Sequence, residues 1–169
     1  MAIREIKVYG DPLLRKKAQL IENLDQEVWS LAQDMKETMH ASGGVGLAGN
    51  QVGVLWRIIT FTDPDRQEDQ VLINPQIVYR SEEKEKEEEG CLSFPDIYDQ
   101  VERAKKVVVK GWDLEEKEIT IEGEGLLARI LQHEIDHLDG ILFIDRLSPS
   151  RRLLLGKKLR KISVAGDKD

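Results

Sequence analysis

The stretch Leu126–Gly140, "LLARILQHEIDHLDG", decides how this chain is read. From Leu126 the apolar residues recur at helical spacing, and Gly140 is a good C-terminal stop. Residues four apart on a helix share a face, so His133 and His137 can each turn one imidazole nitrogen to a common metal ion. Glu134 sits beside His133 on the turn and is poorly placed as a third ligand. It can instead hydrogen-bond a water at the ion, as general base and then acid. Leu126 and Ile130 continue the histidine stripe towards the helix start, so they are expected to line a pocket before the metal. The bland alternative is a helix whose inward histidines merely have satisfied hydrogen bonds. The intervening glutamate weighs against it.

Two histidines leave a catalytic site incomplete. One large protease class extends the motif as H-E-x-x-H-x-x-G-x-x-H; Gly140 fits the glycine, but Phe143 stands at the third histidine. Thermolysin-like enzymes take a downstream glutamate, and none occurs here after Glu134. Asp139 is too close on the same helix. Asp145, in "LFIDRLS", reads as a turn or ion-pair aspartate. His40 ends an expected helix, where the helix dipole explains it. Upstream lies "EGCLSFP", Glu89–Pro95, with Cys91 between a glycine and a leucine. A lone cysteine is more often a buried hydrophobe. Beside an incomplete two-histidine site its thiolate is the preferred third ligand, leaving a position open for water.

The 169 residues are expected to form one domain, 1–169, with 150–169 as a C-terminal helix and tail. Forty per cent of residues are hydrophobic and 34% charged, with net charge −7, so no global basic field points to nucleic acid. The opening "MAIREIKVYGDP" lacks the apolar run of a signal peptide, and no stretch nears the roughly 20 apolar residues of a membrane span. With one cysteine there is no intramolecular disulfide. The expected location is a reducing cytoplasm.

Along the chain, Asp25–His40 reads as an amphipathic helix capped by Asn23 or Asp25, with Val28, Leu31, Ala32, Met35 and Met39 on one face. The glycine-rich "SGGVGLAGNQVG" follows, then strands at "WRIITF" and "VLINPQIVY", the second interrupted by Pro75. The acidic "SEEKEKEEEG" (Ser81–Gly90) reads as solvated strand edge or loop. "KKVVVKGWD" and "KEITIEGEG" read as two strands joined by a turn. "ILF" after the histidine helix reads as a short strand, and Ser150–Ile162 as a final basic helix. The expected fold is α+β, mostly antiparallel sheets packed around the central helix that carries the HExxH motif.

Three motifs in order, "GVGLAGNQ" (Gly44–Gln51), "EGCLS" (Glu89–Ser93) and "QHEIDH" (Gln132–His137), resemble those of bacterial peptide deformylases. "YGDPLLRKKA", "LINPQI" and "HLDGILFIDRLS" extend the resemblance over almost the whole chain. The resemblance implies removal of the N-formyl group from the initiator methionine of new proteins. It implies one Fe2+ ion, replaceable by Zn2+, Ni2+ or Co2+. Carried over, Cys91, His133 and His137 bind the metal and Glu134 handles protons. Gln51 and the backbone N–H of Leu92 stabilise the oxyanion. An extended peptide adds as a strand at Gly44, Val45 and Gly46, near backbone that lacks Cβ atoms. Val45, Leu126, Ile130 and the alkyl stem of Arg129 form an apolar slot for methionine, and Glu89 with Arg103 is a candidate ion pair behind the Cys91 loop.

Two positions depart from the family pattern. Gly49-Asn50 replaces the usual Ala-Pro before Gln51, which frees φ at Asn50 and leaves the loop less preorganised. Tyr98 stands where many members carry a substrate-contacting arginine. A zinc endopeptidase and a non-enzymatic metal sensor are the rival readings. Arg151, Arg152, Lys158 and Lys161 on the last helix are expected to face outward, either simply solvated or contacting ribosomal RNA.

Overall fold

The computed structural model describes residues 2–167, with side-chain burial for 2–163. Met1 of the unit expected over 1–169, and the last two residues of the tail expected over 150–169, lie outside the described residues.

Helix α1 spans Gln26–Ala41, and its N-cap is Asp25, whose side chain accepts the Val28 N–H at 3.2 Å. Seven strands follow: β1 (Gly46–Ala48), β2 (Ile58–Asp63), β3 (Glu68–Arg80), β4 (Lys84–Cys91), β5 (Phe94–Ala104), β6 (Lys106–Trp112) and β7 (Glu118–Glu124). Helix α2 runs Leu126–Leu138 and helix α3 Pro149–Asp167. The strands form a five-stranded antiparallel sheet in the order β1-β2-β3-β6-β7 and a separate β4–β5 ribbon. This is the expected α+β arrangement around α2.

Strand alternation explains why the sheet is covered on both faces. Ile59, Phe61, Leu72, Val107 and Val109 point to α2 and meet Ala128, Leu131 and Ile135. Ile58, Val71 and Ile73 point the other way and meet Val28, Leu31, Met35 and Met39 of α1. Burying each such large side chain contributes about 1.5–3 kcal/mol. Twelve of the thirteen residues of α2 are buried, Leu126 being the exception. On its remaining side the ribbon and a third core containing Phe94, Val101, Phe143 and Leu159 complete the enclosure.

One expectation needs correction, and one strand was not anticipated. Phe94–Ala104, unassigned from sequence, is the long strand β5, and the Glu-rich run is its partner β4. "ILF" is not a strand: Phe143–Arg146 is a 3-10 turn, held by Asp145, which accepts the Leu142 N–H at 2.9 Å and pairs with Arg15. On α3, Leu155, Leu159 and Ile162 pack inward as expected. Arg151, Arg152, Lys158 and Lys161 are exposed, as expected; Arg151 also binds the buried Asp99 at 2.8 Å, and Arg152 lies 3.5 Å from Asp145.

Candidate active site

Two sheet edges and one helix enclose a cavity of about 310 Å³. β1 supplies Gly46 and the preceding Gly44–Val45, the ribbon supplies Glu88–Leu92 and Tyr98, and α2 supplies Leu126, Arg129, Ile130, His133 and Glu134. Gln51 closes the inner end from a 3-10 turn, Gly49–Val52, that follows β1.

Cys91 ends β4, and the two-residue turn Leu92-Ser93 brings Phe94 back opposite it. The turn aims the thiol at α2. Ligand atoms of Cys91, His133 and His137 all lie within 4.8 Å of one another, with Cys91 Sγ 3.3 Å from His137 Nε2. His133 Nδ1 sits 2.7 Å from Glu89 Oε1; in the neutral ring it donates there and leaves Nε2 its lone pair. Burial holds the His137 ring neutral, with its basicity well below the ordinary value. Its Nδ1 is buried without a hydrogen-bond partner. A thiolate and two imidazoles converging this way fit a metal ion and leave a tetrahedral ion one open position. Burial opposes charge on His133, but Glu134, Cys91 and Glu89 outweigh it and raise its proton affinity. The same negative surroundings favour a bound cation.

Glu134 is 5% exposed, and burial pushes its carboxyl up to about 7, against the opposing pull of His133. Its Oε1 has no partner within the protein. Glycine at 46 is what admits it: a Cβ there would fall 2.5 Å from Glu134 Oε2. A Cβ at Gly44 would similarly strike the Leu92 side chain, at 2.6 Å. These glycines therefore make room for protein groups, beyond any close approach by a peptide.

Behind the ligands lies a buried charge network. Arg103 holds Glu89 through two bonds of 2.7 and 2.9 Å and reaches Asp136 at 2.8 Å. Arg129 binds Glu89 at 2.7 Å and the carbonyls of Val101 and Glu85. Burial alone would raise the Glu89 carboxyl; the bonds from His133 and Arg103 overcome it and hold Glu89 well below the usual carboxylate range. Removing one member of such a buried set leaves a charge uncompensated, at a cost of about 3–5 kcal/mol. The expected Glu89–Arg103 pair is present. Arg129 contributes its guanidinium to this network as well as a wall of the cavity.

Residues 3–153 match the family model described as Polypeptide deformylase. The chain is 50% identical over 163 residues to a peptide deformylase of Thermodesulfovibrio yellowstonii, covering 95% of this chain and 98% of the relative. One from Pseudothermotoga lettingae is 45% identical over 160 residues, covering 95% and 92%. Among solved structures, a peptide deformylase from Legionella pneumophila superposes with TM-score 0.89 at 45% identity, covering 99% of each chain. That from Ehrlichia chaffeensis in complex with actinonin gives 0.90 at 39%, covering 95% and 98%.

The chain belongs to the peptide deformylase family. It is a metal-dependent hydrolase that removes the N-formyl group from the initiator methionine of nascent proteins, releasing formate. The zinc-endopeptidase and metal-sensor readings fall with that assignment.

All the residues marked in the sequence for this peptide deformylase site line the cavity except His137, which sits behind Cys91. The rejected ligands lie elsewhere: His40 pairs with Asp69 at 2.6 Å, Asp139 with Arg57 at 3.0 Å, and Asp145 with Arg15. Sequence reading missed Ser93, wholly buried, whose Oγ accepts from Gln51 Nε2 at 3.1 Å. It also missed Asp136, which receives Arg103 and Arg146. A buried hydroxyl and a second-layer carboxylate leave no periodic signature, although both stand inside the quoted motifs. Tyr98 is 62% exposed at the mouth of the cavity, with its ring laid over Gly90.

Proposed function

We propose that Cys91, His133 and His137 hold the metal, as ferrous iron, with Glu134 as proton carrier and Gln51 Nε2 and the Leu92 N–H as oxyanion donors. The observation that carries this is the convergence of three ligand atoms within 4.8 Å beside the buried Glu134. When bound, the ion polarises the formyl oxygen and makes water a nucleophile near neutral pH.

The chain's own groups supply the rest. Thr62 N–H donates to the Val45 carbonyl, so antiparallel alternation turns the Gly46 N–H and C=O away from β2, towards the cavity. A formylated peptide adds there as a strand. Its methionine side chain enters a slot formed by Val45, Leu126, Ile130 and the Arg129 stem. Glu134 takes the proton of the attacking water as its oxygen bonds to the formyl carbon. Charge developing on the formyl oxygen is met by Gln51 and Leu92, neutral donors that do not themselves react. The C–N bond then breaks, Glu134 returns the proton to the departing amine, and formate leaves.

The enzyme so described works in the cytoplasm on chains emerging from the ribosome. No described helix is long and apolar enough to cross a membrane. Ribosome contact through α3 draws on the exposed Arg151, Arg152, Lys158 and Lys161, of which Arg151 is also bound to Asp99. The test is anaerobic purification with metal analysis, followed by formate release from a formyl-Met peptide and its unformylated twin. Glu134→Gln is expected to retain the metal and to lose about 10²–10⁴-fold in kcat. Formate release at the parent rate would remove Glu134 from the mechanism.

A further inference from the structure

The Gln51 carboxamide is held in one orientation. Its Oε1 accepts the Ala48 N–H at 3.0 Å, so Nε2 points away, donating to Ser93 Oγ at 3.1 Å beside Cys91 Sγ at 3.5 Å. The turn that carries it is anchored by two bonds from the N-terminal segment. Lys7 N–H donates to the Gln51 carbonyl at 2.7 Å, and the wholly buried Asn50 donates from Nδ2 to the Lys16 carbonyl at 2.7 Å. A carbonyl only accepts, so the Asn50 amide cannot be flipped. Its Oδ1 is then left buried without a partner. A half-satisfied buried carboxamide is unfavourable for stability, and an apolar side chain would serve packing alone better. What the amide adds is the tether.

The other end of that tether is itself fixed to the metal-ligand helix. Ala18 N–H donates to the Leu138 carbonyl at 2.8 Å, and Gly140 abuts the Arg15 carbonyl so closely that a Cβ would fall 2.5 Å from it. The segment from Lys7 to Ala18 thus joins the Gln51 turn to the end of α2. We propose that Asn50 is a positioning residue: through the Lys16 carbonyl it holds the Gln51 donor in register with the His133–Glu134–His137 face. Asn50 thereby does the preorganising that a proline at this position would do by restricting φ. This rests on the reading of Gln51 as an oxyanion donor.

A double-mutant cycle on protein of measured metal content tests it, using Asn50→Ala, Gln51→Ala and the double variant, with Asn50→Thr in place of Asn50→Ala should alanine not fold. Gln51→Ala is expected to lower kcat per metal ion about 10²-fold, and Asn50→Ala about tenfold with little change in KM. In the Gln51→Ala background, Asn50→Ala is expected to have no further effect, because the two act as a unit. An equal loss in both backgrounds, or an unchanged kcat per metal ion in Asn50→Ala, overturns the proposal. A second readout needs no metal: exchange of the Gln51 side-chain NH₂ protons with water, followed by NMR, should quicken about tenfold in Asn50→Ala. Unchanged exchange overturns the tether, whereas an unchanged kcat in Gln51→Ala overturns only the oxyanion reading.

Discussion

A methyl group at position 46 would fall 2.5 Å from Glu134 Oε2, while the same residue's N–H and C=O face the cavity. Gly46→Ala is therefore expected to leave the fold intact and to displace the Glu134 carboxylate. Displacement on the ångström scale from a productive geometry costs about 10²-fold in rate. Steady-state kinetics with a melting curve checks it: activity near the parent's would show that Glu134 has room to move. At this scale the proposed ligands and base were legible, because HExxH places two histidines on one helix face with a glutamate beside them. Cys91 was legible by elimination and by motif. Ser93 and Asp136 were not, since each acts only on a group brought to it by another element.

Elements were legible where one face is apolar and the other polar. Helix α1 and strands β6 and β7 show that pattern. Strand β5 does not, because Asp99 and Arg103 occupy inward positions among Phe94, Ile97 and Val101. Those charges are tolerated inside because Arg151 meets the first, while Glu89 and Asp136 meet the second. The bond from Arg151 holds the Asp99 carboxyl below its ordinary value, against burial. A depressed folded-state value means that this bond stabilises the protein fully above the ordinary carboxylate range. The contribution is lost as pH falls through the depressed value. Asp99→Asn is accordingly expected to melt earlier than the parent at pH 7, with the gap closing as pH falls through the depressed Asp99 value. A gap that does not narrow as pH is lowered through and below the ordinary carboxylate range would show that the charge on Asp99 contributes nothing to docking α3. The short run "ILF" failed for another reason: three consecutive apolar residues have no period, and Asp145, which caps the turn locally through the Leu142 N–H, is itself held by Arg15 from far away in sequence.

For the whole molecule, the metal is expected to be part of the stability as well as the chemistry. A ligand present at about 1,000 times its Kd stabilises by about 4 kcal/mol, which for a chain of this size is about 10 °C in Tm. Chelation should lower Tm by that order, and calorimetry with and without added metal measures it. An unchanged Tm would mean that the Cys91/His133/His137 set is not a high-affinity site. Iron-loaded enzyme should lose activity in air, whereas zinc-loaded enzyme should not, as a formate assay before and after aeration will show.

By itself the sequence determined the helix that carries the histidines, the glutamate proposed as the base, the family and the α+β class. Those are properties of local spacing and of residue types with few chemical uses. Tertiary structure decided what surrounds them. It made Gly46 the gap that admits Glu134, Arg129 and Arg103 the counterions that keep Glu89 charged behind His133, and Asn50 a tether to a carbonyl 34 residues away in sequence. The reason is physical. A ligand's residue type is dictated by the metal, but a buried polar group is explained only by its partner, and partners here come from other strands and turns.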